Sequence, residues 1–590
     1  MTVPENLGKI ELGLERISNF LESILPRDPR ANLKVVHVAG TNGKGSVCAL
    51  ISEALIAGGY KVGTFNSPHF LATNDAVRIQ GVPIPASEYA ELRAYVNNLD
   101  AKAQSPNGRL SLFEQATAAA LWWFSENNID LAVIEVGMGG LRDATNVFGM
   151  PDGNVSPGVG KSLVQCICPI DSDHLGMIGN TVEEIAHEKS GIMRPGSWIV
   201  VANQDRIEAF HKVRHLAHKI SPDRVVNVRR QPTYDSHVSK FSIKHAAGEE
   251  SLDAQKLLAE VDAPGWASFN GTGRRCLSAK YPPTLEIYKT AQSTKGSRDL
   301  QSPQSPQLGQ ASTGGNAGSS PMGVPASIEL HLPLMLPGHY QAGNASVAFY
   351  ALDVLRTHYG FGRLTDAAIQ IGFQNVRWPG RLSWLRFNGD DSSGTGNSSP
   401  TSSNSADSRS STRSDSISAS ELINFNKSGA LGGWILADGA HNEPAAFELR
   451  KYVETTLKRI KQTRYINGTS VRSFKDIPNV RWIVGFTRGK DMTAILNRIA
   501  RSGDTVWAVP FSQPDEMPWI ECTDTENILE AAKGTVCANS IQIEKFGCLA
   551  DALSLLATED TKSCLTVICG SLYLVADLYR ELHIRPFEGR

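Results

Sequence analysis

Lys44 and Ser46 close a glycine-rich run, Gly40-Thr41-Asn42-Gly43-Lys44-Gly45-Ser46, whose residue types suit the binding of phosphate. Glycines let backbone N–H groups come close to an anion, and an ammonium on a long stem can reach a β- or γ-phosphate. A hydroxyl beside them can join the oxygen shell of Mg²⁺. The run follows the apolar stretch Val35–Ala39 and opens VCALISEALIAGG, in which Val47, Leu50, Ile51, Ala54 and Leu55 fall on the core side. Strand, glycine turn, then helix is the order a nucleotide phosphate loop requires, because the helix N-terminus adds partial positive charge at the phosphates. The spacing departs from G-x-x-x-x-G-K-[ST], since Gly45 separates Lys44 from Ser46. An ordinary strand–helix turn is the competing reading, and the loop alone specifies only a nucleoside triphosphate.

Two carboxylates occupy comparable places. Glu135 lies near the end of the apolar stretch Leu131–Val136, where an unpaired charge is costly and a cation relieves the cost. Asp438 follows Trp434–Ala437, at a strand's C-terminal end, where open α/β sheets bind ligands. Trp198–Ala202, Val480–Gly485, Thr505–Val509 and Leu565–Cys569 are further strand candidates, with helices over Ser46–Ile56 and Leu572–Leu582. Apolar strands alternating with helices predict α/β architecture with parallel sheets covered on both faces. Ile10, Leu14, Ile17 and Leu21 predict an amphipathic helix at the N-terminus.

At 590 residues the chain exceeds one core, so a phosphate-loop domain over 1–376 and a smaller Rossmann-like α/β domain over 377–590 are expected. Segments around 290–327 and 389–420 are rich in Ser, Gly and Pro and nearly empty of large apolar residues. Such composition cannot offset the entropy of ordering, so both read as disordered insertions, a regulatory phosphosite being the alternative. The balance of 58 basic against 60 acidic residues gives no basic footprint for a nucleic acid. No apolar run reaches the roughly 18–20 residues of a membrane span. Nine scattered cysteines predict a reducing compartment, hence a cytoplasmic protein, with a mitochondrial pool left open. Cys166 and Cys168 read as structural rather than zinc-binding, because no second thiol pair follows at zinc spacing.

Further motifs follow the phosphate loop in order. They are Ser67-Pro68-His69, Glu135-Val136-Gly137-Met138-Gly139-Gly140, Asp143-Ala144-Thr145-Asn146, Asp173-His174 and Glu188-Lys189-Ser190-Gly191-Ile192. Asn344, Trp378-Pro379-Gly380-Arg381-Leu382 and Asp438-Gly439-Ala440-His441-Asn442 come later. In this order, and over nearly the whole chain outside the two insertions, the sequence resembles the folylpolyglutamate synthase/dihydrofolate synthase family, relatives of the Mur ligases. Leu141-Arg142 departs from it by reversing the Arg-Leu order common before Asp143.

The resemblance implies a Mur-ligase-like first domain and an ATP site shared between domains. Gly40, Thr41, Asn42, Gly43, Lys44, Gly45, Ser46 and Asn344 would meet Arg381, Asp438 and His441 around the nucleotide. Two Mg²⁺ ions are implied on Ser46, Ser67, Glu135 and His174, with Lys189 if it is carbamylated; a salt-bridging lysine is the competing reading there. Phe113, Asp143 and Ala144 would face a pterin, core packing being the alternative for Phe113. Lys44, Glu135, His174 and Lys189 would carry catalysis. The implied reaction turns a carboxylate into an acyl phosphate with ATP, and the amine of L-glutamate then displaces phosphate. Asn42, Ala144 and Glu516-Met517-Pro518-Trp519-Ile520 favour dihydropteroate as the acceptor. Glutamate addition to tetrahydrofolate, alone or as a second activity, is the alternative, and a phosphate-loop NTPase or kinase is another. The expected partners are ATP, L-glutamate and dihydropteroate, on a monomer.

Overall fold

The computed structural model describes residues 12–24, 28–103, 107–149, 160–173, 175–228, 284–290, 327–333, 336–387, 434–466, 479–558 and 564–587. Ile10, His174 and the expected insertions around 290–327 and 389–420 lie outside the described residues, apart from Thr290 and Ser327 at strand ends.

Among the described residues, two large sheets form. The first comprises β1 (Lys34–Ala39), β2 (Val62–Phe65), β3 (Val77–Ile79), β4 (Val82–Pro83), β5 (Leu131–Glu135), β6 (Lys161–Ile167), β7 (Trp198–Val201) and β8 (Val225–Asn227). Their spatial order is β4-β3-β2-β5-β1-β6-β7-β8, parallel except for β3 and β4 at one edge. β9 (Thr284–Thr290) and β10 (Ser327–Pro333) pair as an antiparallel ribbon. The second sheet holds β11 (Ser383–Arg386), β12 (Trp434–Ala437), β13 (Val480–Val484), β14 (Thr505–Ala508), β15 (Gln542–Lys545) and β16 (Leu565–Cys569). It runs β11-β12-β16-β13-β14-β15, parallel apart from β11. The expected α/β class with parallel-rich sheets is therefore the fold observed.

Burial explains why the central strands are apolar throughout. In β1 every residue after Lys34 is buried. Val36 and Val38 pack with Leu50 and Phe349 on one face, while Val35 packs with Ala132, Ile17 and Phe124 on the other. A strand buried on both faces cannot alternate polar and apolar residues without stranding a polar group. The N-terminal helix spans Glu15–Ser23 and buries Ile17 and Leu21 as expected, with Leu14 at its N-cap.

The two sheets are stitched together by the segment between β2 and β3. Phe70 leaves the first sheet and is buried with Ile435 of the second and Leu574 of helix Leu572–Glu581, its ring edge-on to Tyr579 at 5.0 Å. Arg580 donates to the carbonyl of Leu71 at 2.7 Å, and Arg93 pairs with Glu516 at 2.8 Å.

Candidate active site

The site grows from the C-terminal ends of adjacent parallel strands. β1 lies between β5 and β6, and the register sets Val38 beside Glu135 and Ala39 beside Ile167. The exits of these strands therefore converge on the turn that follows β1. Helix Lys44–Ala57 leads away from that turn, and Gly43 at its N-cap takes the left-handed conformation at φ +92°. Any other residue there would be strained, and its Cβ would stand 2.3 Å from Asn344 Oδ1. A Cβ on Gly40 would come within 2.5 Å of Cys168 Cβ, and one on Gly45 within 2.6 Å of the Trp378 ring. The run needs glycine because three neighbouring elements crowd it.

The loop's donors divide into two groups. Thr41 and Asn42, expected to face phosphate, give their N–H groups to the carbonyl of Pro169 at 2.9 and 3.3 Å. The exit of β6 runs close enough along the loop to claim them. The amides of Lys44, Gly45 and Ser46 lead the helix, with no carbonyl one turn behind them to accept. They are the anion donors the turn presents.

Lys44, Ser46, Ser67 and Glu135 gather here. Lys44 Nζ reaches the carbonyl of Thr41 at 3.4 Å and stands 3.9 Å from Glu135 Oε1. Asn66 donates to Glu135 Oε2 at 2.8 Å. Burial pushes the Glu135 carboxyl pKa up, while Lys44 and Asn66 oppose that shift. Ser67 Oγ is buried beside it without a hydrogen-bond partner. Ser46 Oγ accepts from Gln341 at 3.3 Å, and Gln341 accepts from Asn344 at 2.8 Å. Gln341 stands in none of the sequence motifs; its place one helical turn before Asn344 is the one local sign of this link.

Lys189 is buried, with Nζ donating to the carbonyl of Gly40 at 3.1 Å. Burial first, then the charge of Lys44, lower its pKa to about 7. Its neighbour Glu188 accepts from the Arg142 amide at 3.1 Å and its guanidinium at 3.2 Å. Reversed Leu141-Arg142 thus fastens the loop to helix Val182–Ser190.

The residues expected around a pterin lie about one loop but differ in what they present. Phe113 is partly buried, stacked on Phe65 at 6.0 Å, and a Cβ on Gly137 would meet its ring at 2.4 Å. A reciprocal cap at Ser111 and Glu114 sets the start of its helix, Leu112–Glu126. Phe113 therefore flanks the strand exit that carries Glu135. Ala144 is buried in the same apolar cluster. Both oxygens of Asp143 are engaged by its own loop, accepting from Met138 N at 2.7 Å, Thr145 N at 3.0 Å and Thr145 Oγ1 at 2.5 Å. Asp143 shapes that loop rather than presenting a free carboxylate.

The second sheet supplies the facing wall. Asp438 follows β12 and accepts from Leu382 N at 2.8 Å and Ala440 N at 2.9 Å. It pins Leu382, which sits at φ +51°, and so fixes the turn bearing Arg381. The Arg381 guanidinium lies over Gly439, where a Cβ would come within 2.5 Å of Nη1. His441 Nδ1 meets the carbonyl of Gly439 at 2.8 Å, and burial, then Lys490, lowers its pKa to about 4. Facing a carbonyl, Nδ1 must carry the proton, so Nε2 presents a lone pair. Polar contacts cross between the walls at the loop itself: Asn442 Nδ2 to Asn42 Oδ1 at 3.2 Å, and Lys490 to Asp173 at 3.4 Å. Among the described residues no three His, Cys, Asp or Glu side chains gather as a metal cluster. His174 cannot be placed, since it lies outside those residues.

Known proteins resemble this chain in sequence and in fold. A family described as "Dihydrofolate synthetase, C-terminal domain" matches residues 421–581. Over 98% of this chain, and 99% of each relative, the sequence is 28% identical to a "Probable dihydrofolate synthetase" of Schizosaccharomyces pombe and 27% identical to the dihydrofolate synthetase of Saccharomyces cerevisiae. A solved bifunctional folylpolyglutamate synthase/dihydrofolate synthase with Mn, AMPPNP and L-glutamate bound superposes with a TM-score of 0.58. That likeness covers 98% of this chain and 96% of the other at 21% identity, and shows a shared fold.

Proposed function

We propose that this chain, which belongs to the folylpolyglutamate synthase/dihydrofolate synthase family, is a dihydrofolate synthase. It joins L-glutamate to 7,8-dihydropteroate with cleavage of ATP, giving dihydrofolate, ADP and phosphate. The observation that carries the reading is the meeting of two loops, where Asn442 of the Asp438–Asn442 segment donates to Asn42 of the phosphate loop. A phosphate loop that served hydrolysis alone would need no second wall. The full-length likeness to fungal dihydrofolate synthetases supports the acceptor.

In this reading the Lys44, Gly45 and Ser46 amides and the Lys44 ammonium hold the β- and γ-phosphates. Arg381 and His441 close the nucleotide's other side on the turn that Asp438 fixes, and the His441 Nε2 lone pair suits a ribose hydroxyl. Ser67 and Glu135 fit Mg²⁺, because a buried carboxylate and an unpartnered hydroxyl are hard oxygen donors at one point. Ser46 would serve a second ion at the nucleotide. Bound there, Mg²⁺ supplies charge neutralisation at the phosphates. The dihydropteroate carboxylate attacks the γ-phosphorus and ADP leaves. The α-amine of glutamate then attacks the acyl carbon, the amide C–N bond forms as the C–O bond to the bridging oxygen breaks, and phosphate departs with that former carboxylate oxygen and takes up the amine's proton. No protein nucleophile enters. The facing walls exclude water, which would otherwise hydrolyse the acyl phosphate.

The test is ADP formation by purified protein with components left out in turn. Turnover should require Mg²⁺, L-glutamate and dihydropteroate together. Full-rate ADP release without a pterin would reject the ligase reading, and preference for tetrahydrofolate over dihydropteroate would move it to folylpolyglutamate synthesis.

A further inference from the structure

The structure assigns Arg78 and Asn66 a role that no motif marks: together they set the orientation of the Glu135 carboxylate, and the seat of Arg78 is built by residues of the second wall. This inference rests on the reading of Glu135 as the cation-binding carboxylate.

Asn66 follows β2 and is buried, its own N–H given to the carbonyl of Ala76 at 3.0 Å. Its side-chain amide has two unlike ends. Arg78 Nη2 donates to Asn66 Oδ1, and Asn66 Nδ2 donates to Glu135 Oε2 at 2.8 Å. A guanidinium can only donate, so Asn66 must turn its oxygen toward Arg78 and its NH₂ toward Glu135. That engages Oε2, while Oε1 lies 3.9 Å from Lys44 at the phosphate loop; the Ser67 backbone N–H also donates to this carboxylate, and Asn66 adds the side-chain bond that selects its rotation. Without Arg78 the amide is free to turn over, and its oxygen would then face a carboxylate oxygen. The repulsion would swing Glu135 away from the point it shares with Ser67.

Arg78 is buried against two rings, its guanidinium carbon 5.3 Å from the Trp378 ring centre and 4.7 Å from that of Phe587. Arg78 Nη1 donates to the carbonyl of Asp75. Trp378 belongs to the segment entering the second sheet and also crowds Gly45 of the phosphate loop. Phe587 follows helix Leu572–Glu581 and is buried with Tyr579 and Phe70. Seating of the second wall on Arg78 therefore completes the cation site of the first. A purely structural arginine would need the rings but would gain nothing from the Asn66 relay.

The experiment measures Mn²⁺ binding, by the electron-spin signal of free Mn²⁺, to protein saturated with β,γ-methylene-ATP. Arg78→Ala and Asn66→Ala are each expected to weaken Mn²⁺ about tenfold, the lower end for partners that orient a metal ligand. The double variant should be no weaker than the worse single, because the two act in series. Phe587→Ala should move Mn²⁺ affinity the same way by a smaller factor. Binding of the nucleotide analogue in EDTA should stay within about twofold. A lowered melting temperature with wild-type Mn²⁺ affinity in Arg78→Ala overturns the inference. If Arg78→Ala does not fold, Asn66→Ala decides alone, and unchanged Mn²⁺ affinity there overturns it equally. Glu135→Gln separates the two ideas: wild-type Mn²⁺ affinity in that variant defeats the cation reading itself. Loss there, with Arg78→Ala and Asn66→Ala unaffected, defeats only the positioning role.

Discussion

Lys44 Nζ stands 3.9 Å from Glu135 Oε1, at the limit of an ion pair and too far for a hydrogen bond. Opposite charges left free to pair inside a protein approach to about 2.8 Å. The gap places a cation and an anion on either side of the point where phosphate and metal would meet. Glu135 is buried, so its charge depends on a partner, with Lys44 the strongest influence lowering its pKa. Lys44→Ala should abolish ADP formation while the melting temperature stays near wild type. Glu135→Gln should lower kcat by about a hundredfold or more, the scale of lost electrostatic stabilisation at a transferring group. Steady-state rates over a range of Mg²⁺ concentrations check both, and a Glu135→Gln enzyme at full speed would remove the carboxylate from the mechanism.

Lys189 offers a pH-dependent test. With its pKa lowered to about 7, its side chain is a neutral amine above that pH, and only the amine adds CO₂ to become a carbamate. We expect ¹³C-bicarbonate to give a protein-bound carbamate resonance that fades as pH falls below about 7 and is absent in Lys189→Ala. Activity of Lys189→Ala should fall tenfold or more, as expected on losing a group that orients or holds metal. A wild-type rate in that variant would leave Lys189 as a plain lysine bound to Gly40 O.

How far the sequence disclosed this site depended on how each residue is buried. β1, the turn and its helix were legible because an apolar run met glycines that crowding leaves no room to replace. The helix begins at Lys44 rather than Ser46, since nothing in Lys-Gly announces a helix start. β2 was missed: it is four residues long and contains Gly63, where a Cβ would meet Phe124 and Ile129 at 2.7 Å. β6 was missed because Ser162 and Gln165 interrupt its apolar pattern, yet both are buried, with Gln165 Nε2 donating to Ser162 Oγ at 2.8 Å. Pairings across a fold, such as Gln341 with Ser46, leave no mark in local spacing.

Gly45 tests the crowding directly. Its backbone is helical, so an added methyl brings no conformational strain; the obstacle is the Trp378 ring 2.6 Å from the new Cβ. Gly45→Ala must displace the indole or the loop, and either disturbs the amides meant for phosphate. We expect nucleotide affinity to drop about tenfold, roughly 1.4 kcal/mol, measured by calorimetry with ADP. Gly343, whose Cβ would meet nothing within 4 Å, is the control: Gly343→Ala should leave affinity unchanged.

His37 sits in the middle of β1, buried, with Nε2 2.8 Å from Thr145 Oγ1, and burial, then Arg194, lowers its pKa to about 3. The unfolded chain binds this proton near pH 6.5, so between about 6.5 and 3 the unfolded state holds more protons than the folded one. Stability from this group is therefore complete above that window and is lost as pH falls through it, by about 1.4 kcal/mol per pH unit. Glu135, Asp143 and Asp438 have carboxyl pKa values raised by burial and pull the other way, so the wild-type curve alone is uninformative. The difference between wild type and His37→Gln isolates the histidine. Urea midpoints at pH 7, 6, 5 and 4 should show the variant losing less stability on acidification, and parallel curves would mean that His37 takes up its proton while still folded.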